Sequence, residues 1–304
     1  MTIEVLNQGR LVWVNCTEPV PTDMAYLRQR FGFHPLDLED CQSRIERPKI
    51  DEYDDYLFIV MHFPRFHGER RVTRPSEVDL FIGPNFLVTV HDGAFKPLRD
   101  LWQVCQVNPD ERQRWMGRGA GALLYNILDR SVDNIFPMLN KVGSKISAIE
   151  EDMFTENMTL LLQQMSLIRR DVIALRRIVR AQLPIVTNLE HKERPYLQEE
   201  LELYFGDIAD AFARAADIID DYREEIEGLN ATADSYTSYR TNEIIRILTV
   251  LSVIMLPLTL ISSIYGMNLN LPLLHEKWDF ALILGLMVVV VVAMLAYFRH
   301  RDWL

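Results

Sequence analysis

A long acidic run lies between Glu199 and Glu227, where eleven Asp or Glu residues are met by only two Arg, Arg214 and Arg223. Carboxylates crowded in this way concentrate cations; the plain alternative is a solvated helix face. Catalytic chemistry is not indicated. The seven histidines lack metal-ligand spacing, no nucleophile-base pair is evident, and no enzyme activity is expected. Gly117, Gly119 and Gly121 form Gly-Arg-Gly-Ala-Gly, but no hydrophobic strand precedes it and no Lys-Ser/Thr follows, which argues against a phosphate loop. Cys16, Cys41 and Cys105 are dispersed, as suits reduced cytosolic thiols better than disulfides or a zinc site. The formal charge of −11 disfavours nucleic acid as a partner and favours cations.

The elements that would position these carboxylates follow from hydrophobic spacing. From Pro195 onward, apolar residues recur at Leu201, Phe205, Ile208, Phe212, Ala215, Ile219, Tyr222, Ile226 and Leu229, the rhythm of a helix seam packed on neighbouring helices. No proline interrupts between Pro195 and Pro257, so one helix of about 70 residues, roughly 105 Å long, can run from this seam into an apolar stretch. Gly206 and Gly228 are its weak points, at about 1 kcal/mol each relative to Ala. Ile247 to Ile264 and Phe280 to Phe298 contain no charged residue, and each reads as a membrane-spanning helix. Buried core helices are the alternative, but these usually carry charge on one edge. Arg240 and Arg246 precede the first span and Arg299 and Arg301 follow the second, whereas the connecting segment has only Lys277, so both termini are expected in the cytoplasm. Met1 begins an ordinary mixed stretch without the pattern of a cleavable signal peptide.

Upstream, strands are expected at Arg10 to Cys16, Tyr56 to Phe63, Glu77 to Gly83 and Asn85 to His91, with a helical stretch through Met24 to Phe33. Strand signals vanish after about Pro97. The fold class is therefore an α+β cytoplasmic domain, a small mixed sheet with flanking helices, joined by a very long stalk helix to two C-terminal transmembrane helices. The expected division is a cytoplasmic domain over 1–194, a stalk over 195–243, spans over 244–264 and 280–298, an outer loop over 265–279 and a basic tail over 299–304.

The first span ends in Tyr265-Gly266-Met267-Asn268, and a second span follows after a short loop. At this point the chain resembles the CorA family of magnesium transporters, whose signature is Tyr-Gly-Met-Asn at the outer end of the first of two C-terminal spans. His34 to Asp40, Arg47 to Val60, Thr241 to Asn268 and Tyr297 to Leu304 look like further family landmarks in the right order. The resemblance implies a homo-oligomer, a pentamer, in the inner membrane, passing Mg²⁺ and adventitiously Co²⁺ or Ni²⁺, with Mg²⁺ also the regulatory ligand and no organic cofactor. It makes Tyr265, Gly266, Met267 and Asn268 the selectivity filter. Mg²⁺ dehydrates reluctantly, so its water protons need acceptors, and a ring of Asn268 amide oxygens supplies them without trapping the ion. The local alternative is that Gly266 is only a helix terminator and Asn268 a turn residue.

Asn242, Ile245, Thr249, Ser252, Leu256, Thr259 and Ser263 share one helix face by spacing, and the family match puts Asn242, Ile245, Leu248, Leu256 and Thr259 at pore positions. Ile245, Leu248 and Leu256 would form a constriction that gates by excluding water, although Leu and Ile more commonly pack helices together. The resemblance also matches Asp40 and Asp207 to a regulatory metal pair formed across a subunit boundary. After Asn268 the loop Leu269 to Trp278 replaces a more acidic family sequence and leaves Glu276 and Asp279 to attract cations. Ser263 stands where a Gly is common, and Asp302 interrupts the basic tail. Two other functions compete with magnesium entry: zinc transport as in ZntB relatives, which commonly show Gly-Ile-Asn, and a membrane-anchored signalling or scaffold protein without flux.

Overall fold

The computed structural model describes residues 2–43, 46–68, 72–153, 158–191, 202–267, 278–301 and 303. Its contacts divide the chain into two compact units, Met1–Leu229 and Asn230–Leu304.

The first unit is built on a six-stranded sheet of β1 (Ile3–Gln8), β2 (Leu11–Thr17), β3 (Lys49–Glu52), β4 (Leu57–His67), β5 (Val72–Gly83) and β6 (Phe86–His91). The spatial order is β1-β2-β6-β5-β4-β3, with β2 and β6 parallel and every other neighbouring pair antiparallel. This is the expected mixed sheet with two additional short edge strands, β1 and β3. Polar residues interrupt both (Asn7 and Gln8; Lys49, Asp51 and Glu52), which weakens their strand signal. β4 and β5 also run past the sheet as a two-stranded ribbon in which Pro64 opposes Pro75. Neither proline has an N–H to give, and the ribbon there has no third strand to need one.

Alternation along the strands sends side chains to two faces. Val14, Cys16, Phe58, Val60, Phe81, Val88 and Val90 meet Met24, Leu27, Leu38 and Cys41 of α1 (Pro21–Phe31) and α2 (Pro35–Ser43). Gly32, at φ 74°, turns the chain between these two helices in a left-handed conformation suited to glycine. Trp13, Leu57, Ile59, Met61, Phe63, Leu80, Ile82 and Leu87 belong to the larger core on the other face. That core is completed by α3 (Lys96–Val107), α4 (Pro109–Met116), α5 (Ala120–Asp133), α6 (Ile135–Asp152), α7 (Met158–His191) and the start of α8 (Glu202–Tyr265). Among the described residues no strand follows His91, as expected.

The predicted seam of α8 is the side that packs: Phe205, Ile208, Phe212, Ala215, Ile219, Ile226 and Leu229 are buried and Tyr222 partly so. Leu201 and the proposed start at Pro195 lie outside the described residues. Gly143 on α6 allows the close approach of Tyr222, since a Cβ there would come within 2.5 Å of the Tyr222 hydroxyl oxygen. The acidic residues from Asp207 to Glu227 occupy the remaining face, and Asp220 among them is tied down. Arg176 Nε donates to Asp220 Oδ1 at 2.6 Å and Arg180 pairs with Oδ2, so that, although partial burial works the other way, the Asp220 carboxyl is held below its usual range.

In the second unit α8 continues without a break through Pro257 to Tyr265, and α9 (Asp279–His300) follows. Both carry an 18-residue window apolar enough to cross a membrane, and little of either window is buried.

Candidate functional site

Within the second unit, the covered positions along the apolar length of α8 include Val250, Ile254, Pro257, Leu258, Ile261 and Tyr265, and those of α9 are Ile283, Met287, Val290, Val291, Met294 and Phe298, with Val250 and Phe298 buried and the rest partly covered. Each set recurs every three or four residues, so each helix shields one stripe. At 3.6 residues per turn, Ile245, Leu248, Ser252, Leu256, Thr259 and Ser263 fall roughly opposite the α8 stripe. They are open: Ile245 is 53%, Leu248 56% and Leu256 69% exposed. Asn242, also exposed, lies at the margin of this face, and Thr249 on its flank is partly covered. The hydroxyls of Thr249, Ser252 and Thr259 donate to the carbonyls of Ile245, Leu248 and Met255 at 2.7–2.8 Å. Their donors are thus used internally, and the oxygen lone pairs remain as acceptors.

At the end of the helix the Gly266 N–H bonds to the Ser262 carbonyl at 2.8 Å and the Met267 N–H to Ile264 at 3.4 Å. Tyr265 closes the covered stripe, and the exposed Gly266 and Met267 follow it. Asn268 and Glu276 lie outside the described residues; Asp279 is the first residue of α9.

The two aspartates of the expected regulatory pair sit on opposite sides of the sheet in the first unit. Asp207 is exposed on α8 and lines a groove of about 960 Å³ with Asp210, Glu190 and His191. A Cβ on Gly206 would lie 3.2 Å from Glu190 Oε1, so glycine lets the end of α7 approach there. Two carboxylates that sequence reasoning missed, Asp129 and Asp133 on α5, stand near this groove. Burial pushes the Asp129 carboxyl above its ordinary range, and the negative charges of Asp133 and Asp207 push the same way. The i, i+4 spacing of Asp129 and Asp133 was a visible signal; their proximity to Asp207 is tertiary.

Asp40 is on α2, where Lys49 Nζ donates to its Oδ2 at 2.7 Å and also reaches Asp51 at 2.8 Å. These contacts, against the opposing cost of partial burial, hold the Lys49 ammonium firmly charged. A buried clasp fixes α2 to the sheet: Tyr53 and Tyr56 hydroxyls donate to the two oxygens of Asp37 at 2.9 Å, and the Tyr56 oxygen accepts the His34 N–H at 2.9 Å. Burial raises the Asp37 carboxyl despite those bonds and moves the Tyr53 hydroxyl up to about 12. The available donors near Asp40 and Asp207 are hard carboxylate oxygens, the type that suits Mg²⁺. Among the described residues, however, no group of three or more His, Cys, Asp or Glu could hold a metal within one chain.

The clash of like charges around Asp129 gives a testable pH effect. A carboxyl raised in the folded state binds more protons there than when unfolded. Its contribution therefore improves as pH falls towards the unfolded value and worsens as pH rises through the folded one. Asp129→Asn is expected to stabilise the protein at neutral pH by about 0.5 kcal/mol, with the gain vanishing in acid. Thermal unfolding of wild type and variant at several pH values checks this; an equal or lower neutral-pH midpoint in the variant contradicts it.

An α/β unit joined through one 64-residue helix to a second unit with two membrane-length apolar helices fits an integral membrane protein with an open hydroxyl-bearing face. The family described as CorA-like Mg²⁺ transporter protein matches residues 8–300. The chain belongs to that family. It is 34% identical over 295 residues to YfjQ of Bacillus subtilis, covering 96% of this chain and 89% of that one. It is 30% identical over 297 residues to the cobalt/magnesium transport protein CorA of Thermotoga maritima, covering 96% and 83%. The complete structure of the CorA magnesium transporter from Methanocaldococcus jannaschii superposes with a TM-score of 0.86 over 98% of this chain and 93% of that one, at 23% identity, and so supports the fold.

Proposed function

We propose that the chain assembles as a homo-oligomer, a pentamer, into a channel-type transporter of divalent cations, chiefly Mg²⁺, with Co²⁺ and Ni²⁺ as further substrates. The observation that carries this reading is the exposed face of α8 from Ile245 to Ser263, opposite the helix's covered stripe and close to the exposed Gly266 and Met267. Its hydroxyls offer acceptors to the outward protons of a hydrated cation, and its Ile and Leu residues form a zone that excludes water when closed. Two helices per chain cannot enclose a pore, so copies must surround it. Tyr265 to Asn268 act as the filter, with Glu276 and Asp279 drawing cations to the mouth. The helices span the inner membrane within 244–264 and 280–298, and the arginine flanks place both termini in the cytoplasm. The reading assigns the chain no enzymatic step.

Zinc is the weaker transport reading, because the matching family is described by Mg²⁺ and Met267 stands where zinc relatives commonly carry Ile. Purified protein in liposomes loaded with a Mg²⁺ indicator is expected to admit Mg²⁺ down its gradient. Zn²⁺-selective entry would favour the zinc reading, and no flux of any divalent ion would favour a membrane-anchored scaffold.

Internal Mg²⁺ closes the channel by bridging Asp207 of one protomer and Asp40 of the next. Binding confined to the closed state stabilises it by about 1.4 kcal/mol per site at ten times Kd, and five sites together decide a gating equilibrium. The incoming ion must share Asp40 with Lys49, so Lys49→Met is expected to tighten Mg²⁺ binding. Asp40→Ala and Asp207→Ala should weaken Mg²⁺-dependent protection from protease and let flux continue at internal Mg²⁺ that closes the wild type. Unchanged protection and closure in both would move the sensor to the acidic stretch around Asp217, Asp220 and Glu224.

A further inference from the structure

The Gly117-Arg118-Gly119 link between α4 and α5 borders a second pocket, of about 350 Å³, lined by Arg114, Trp115, Arg118, Tyr125, Asn126 and Tyr204. In a chain of net charge −11, two arginines converging on one small pocket run against the background. Arg118 is exposed and makes no ion pair or hydrogen bond among the described residues. Arg114 meets Glu111 only at 3.6 Å on the surface, a pair of small worth. The Trp115 ring is held by the guanidinium groups of Arg114 and Arg130, 4.9 and 4.8 Å from its centre, and by its Nε1 donating to Glu111 at 2.7 Å. Tyr125 and Tyr204 form an aromatic pair with ring centres 5.1 Å apart and planes tilted by 59°. Asn126 Nδ2 donates to the Trp115 carbonyl at 3.3 Å, which fixes an amide at the pocket wall.

Fixed aromatic rings take a planar base, an amide reads its polar edge, and guanidinium groups with room for new partners take phosphate oxygens. The volume is in the range of small-ligand sites. Tyr125 and Tyr204 also line the acidic groove of Asp207 and Asp210, so carboxylates stand on the far side of the aromatic pair. They repel phosphate and confine it to the arginine side, and a divalent cation already bound to the phosphates reduces that repulsion. We propose that this pocket binds a nucleoside polyphosphate in its divalent-cation complex, the base against the Tyr125–Tyr204 pair and the phosphates on Arg114 and Arg118. The site lies wholly in the first unit, and its occupancy is independent of whether the chain conducts ions.

Equilibrium dialysis of the full-length protein in detergent, with radiolabelled ATP and Mg²⁺, tests this. Saturable binding below millimolar concentration is expected, with tripolyphosphate and adenosine each at least about tenfold weaker. Arg118→Ala and Tyr204→Ala, both at exposed positions, should each weaken ATP binding about tenfold, with Arg118→Lys intermediate. Absence of saturable binding, tripolyphosphate or adenosine binding as tightly as ATP, or affinity unchanged in both alanine variants would each overturn the assignment.

Discussion

Asn268→Ala is expected to leave assembly intact and to lower Mg²⁺ flux by about a hundredfold or more. One substitution removes an amide acceptor from every copy around the mouth at once. Hydrogen bonds of about 1 kcal/mol each, lost together from the five positions of the proposed pentamer, cost several kcal/mol at the entry step, and every 1.4 kcal/mol is a factor of about ten. The check is initial uptake into indicator-loaded liposomes, paired with gel filtration to show that the oligomer is retained. Flux at the wild-type rate would remove Tyr265 to Asn268 from the filter. Asn268→Gln, which keeps an amide on a longer arm, should recover part of the flux.

The second large effect is expected at the apolar constriction. Leu256→Ala and Ile245→Ala each withdraw several methyl or methylene groups per copy from an open face. A buried CH₂ is worth about 0.8 kcal/mol in keeping water out. Basal leak at saturating internal Mg²⁺ should rise about tenfold in either variant, because the narrow zone wets more easily. Ile254→Ala supplies the contrast, since Ile254 belongs to the covered stripe of α8. That change should lower thermal stability of the membrane unit and leave leak near the wild-type level. Equal leak in all three would mean that the two faces of α8 have been exchanged.

Much of this architecture was legible because it rests on strong periodic signals. The seam from Phe205 to Leu229 and the two uncharged stretches announce themselves through spacing and length, and the structure buries the first and leaves the others largely open. The interior strands were legible because Val, Ile, Leu and Phe alternate to two covered faces. The edge strands β1 and β3 were not, as edge positions tolerate Asn, Gln, Lys and Asp that erase the pattern. Contacts of charged side chains were also hidden. Lys49 lies nine residues from Asp40, and only the packing of α2 beside β3 brings them to 2.7 Å. Asp129 and Asp207 are separated by most of the helical layer in sequence, and their mutual repulsion arises only from how α5 and α8 pack. The Gly-Arg-Gly run failed as a phosphate loop for a sound reason, the lack of a preceding strand, yet local sequence says nothing of the aromatic rings that surround Arg118.

The hydroxyls of Thr249, Ser252 and Thr259 have all turned their protons inward to their own helix. A lining of this kind carries no formal charge and still distinguishes the sign of what passes. Chloride or phosphate must replace the proton donors of its hydration shell, and these three hydroxyls have none to give. A cation's waters find lone pairs at successive turns. Discrimination against anions would then be distributed along the helix and would not screen away with ionic strength, as it would if it depended on surface carboxylates alone.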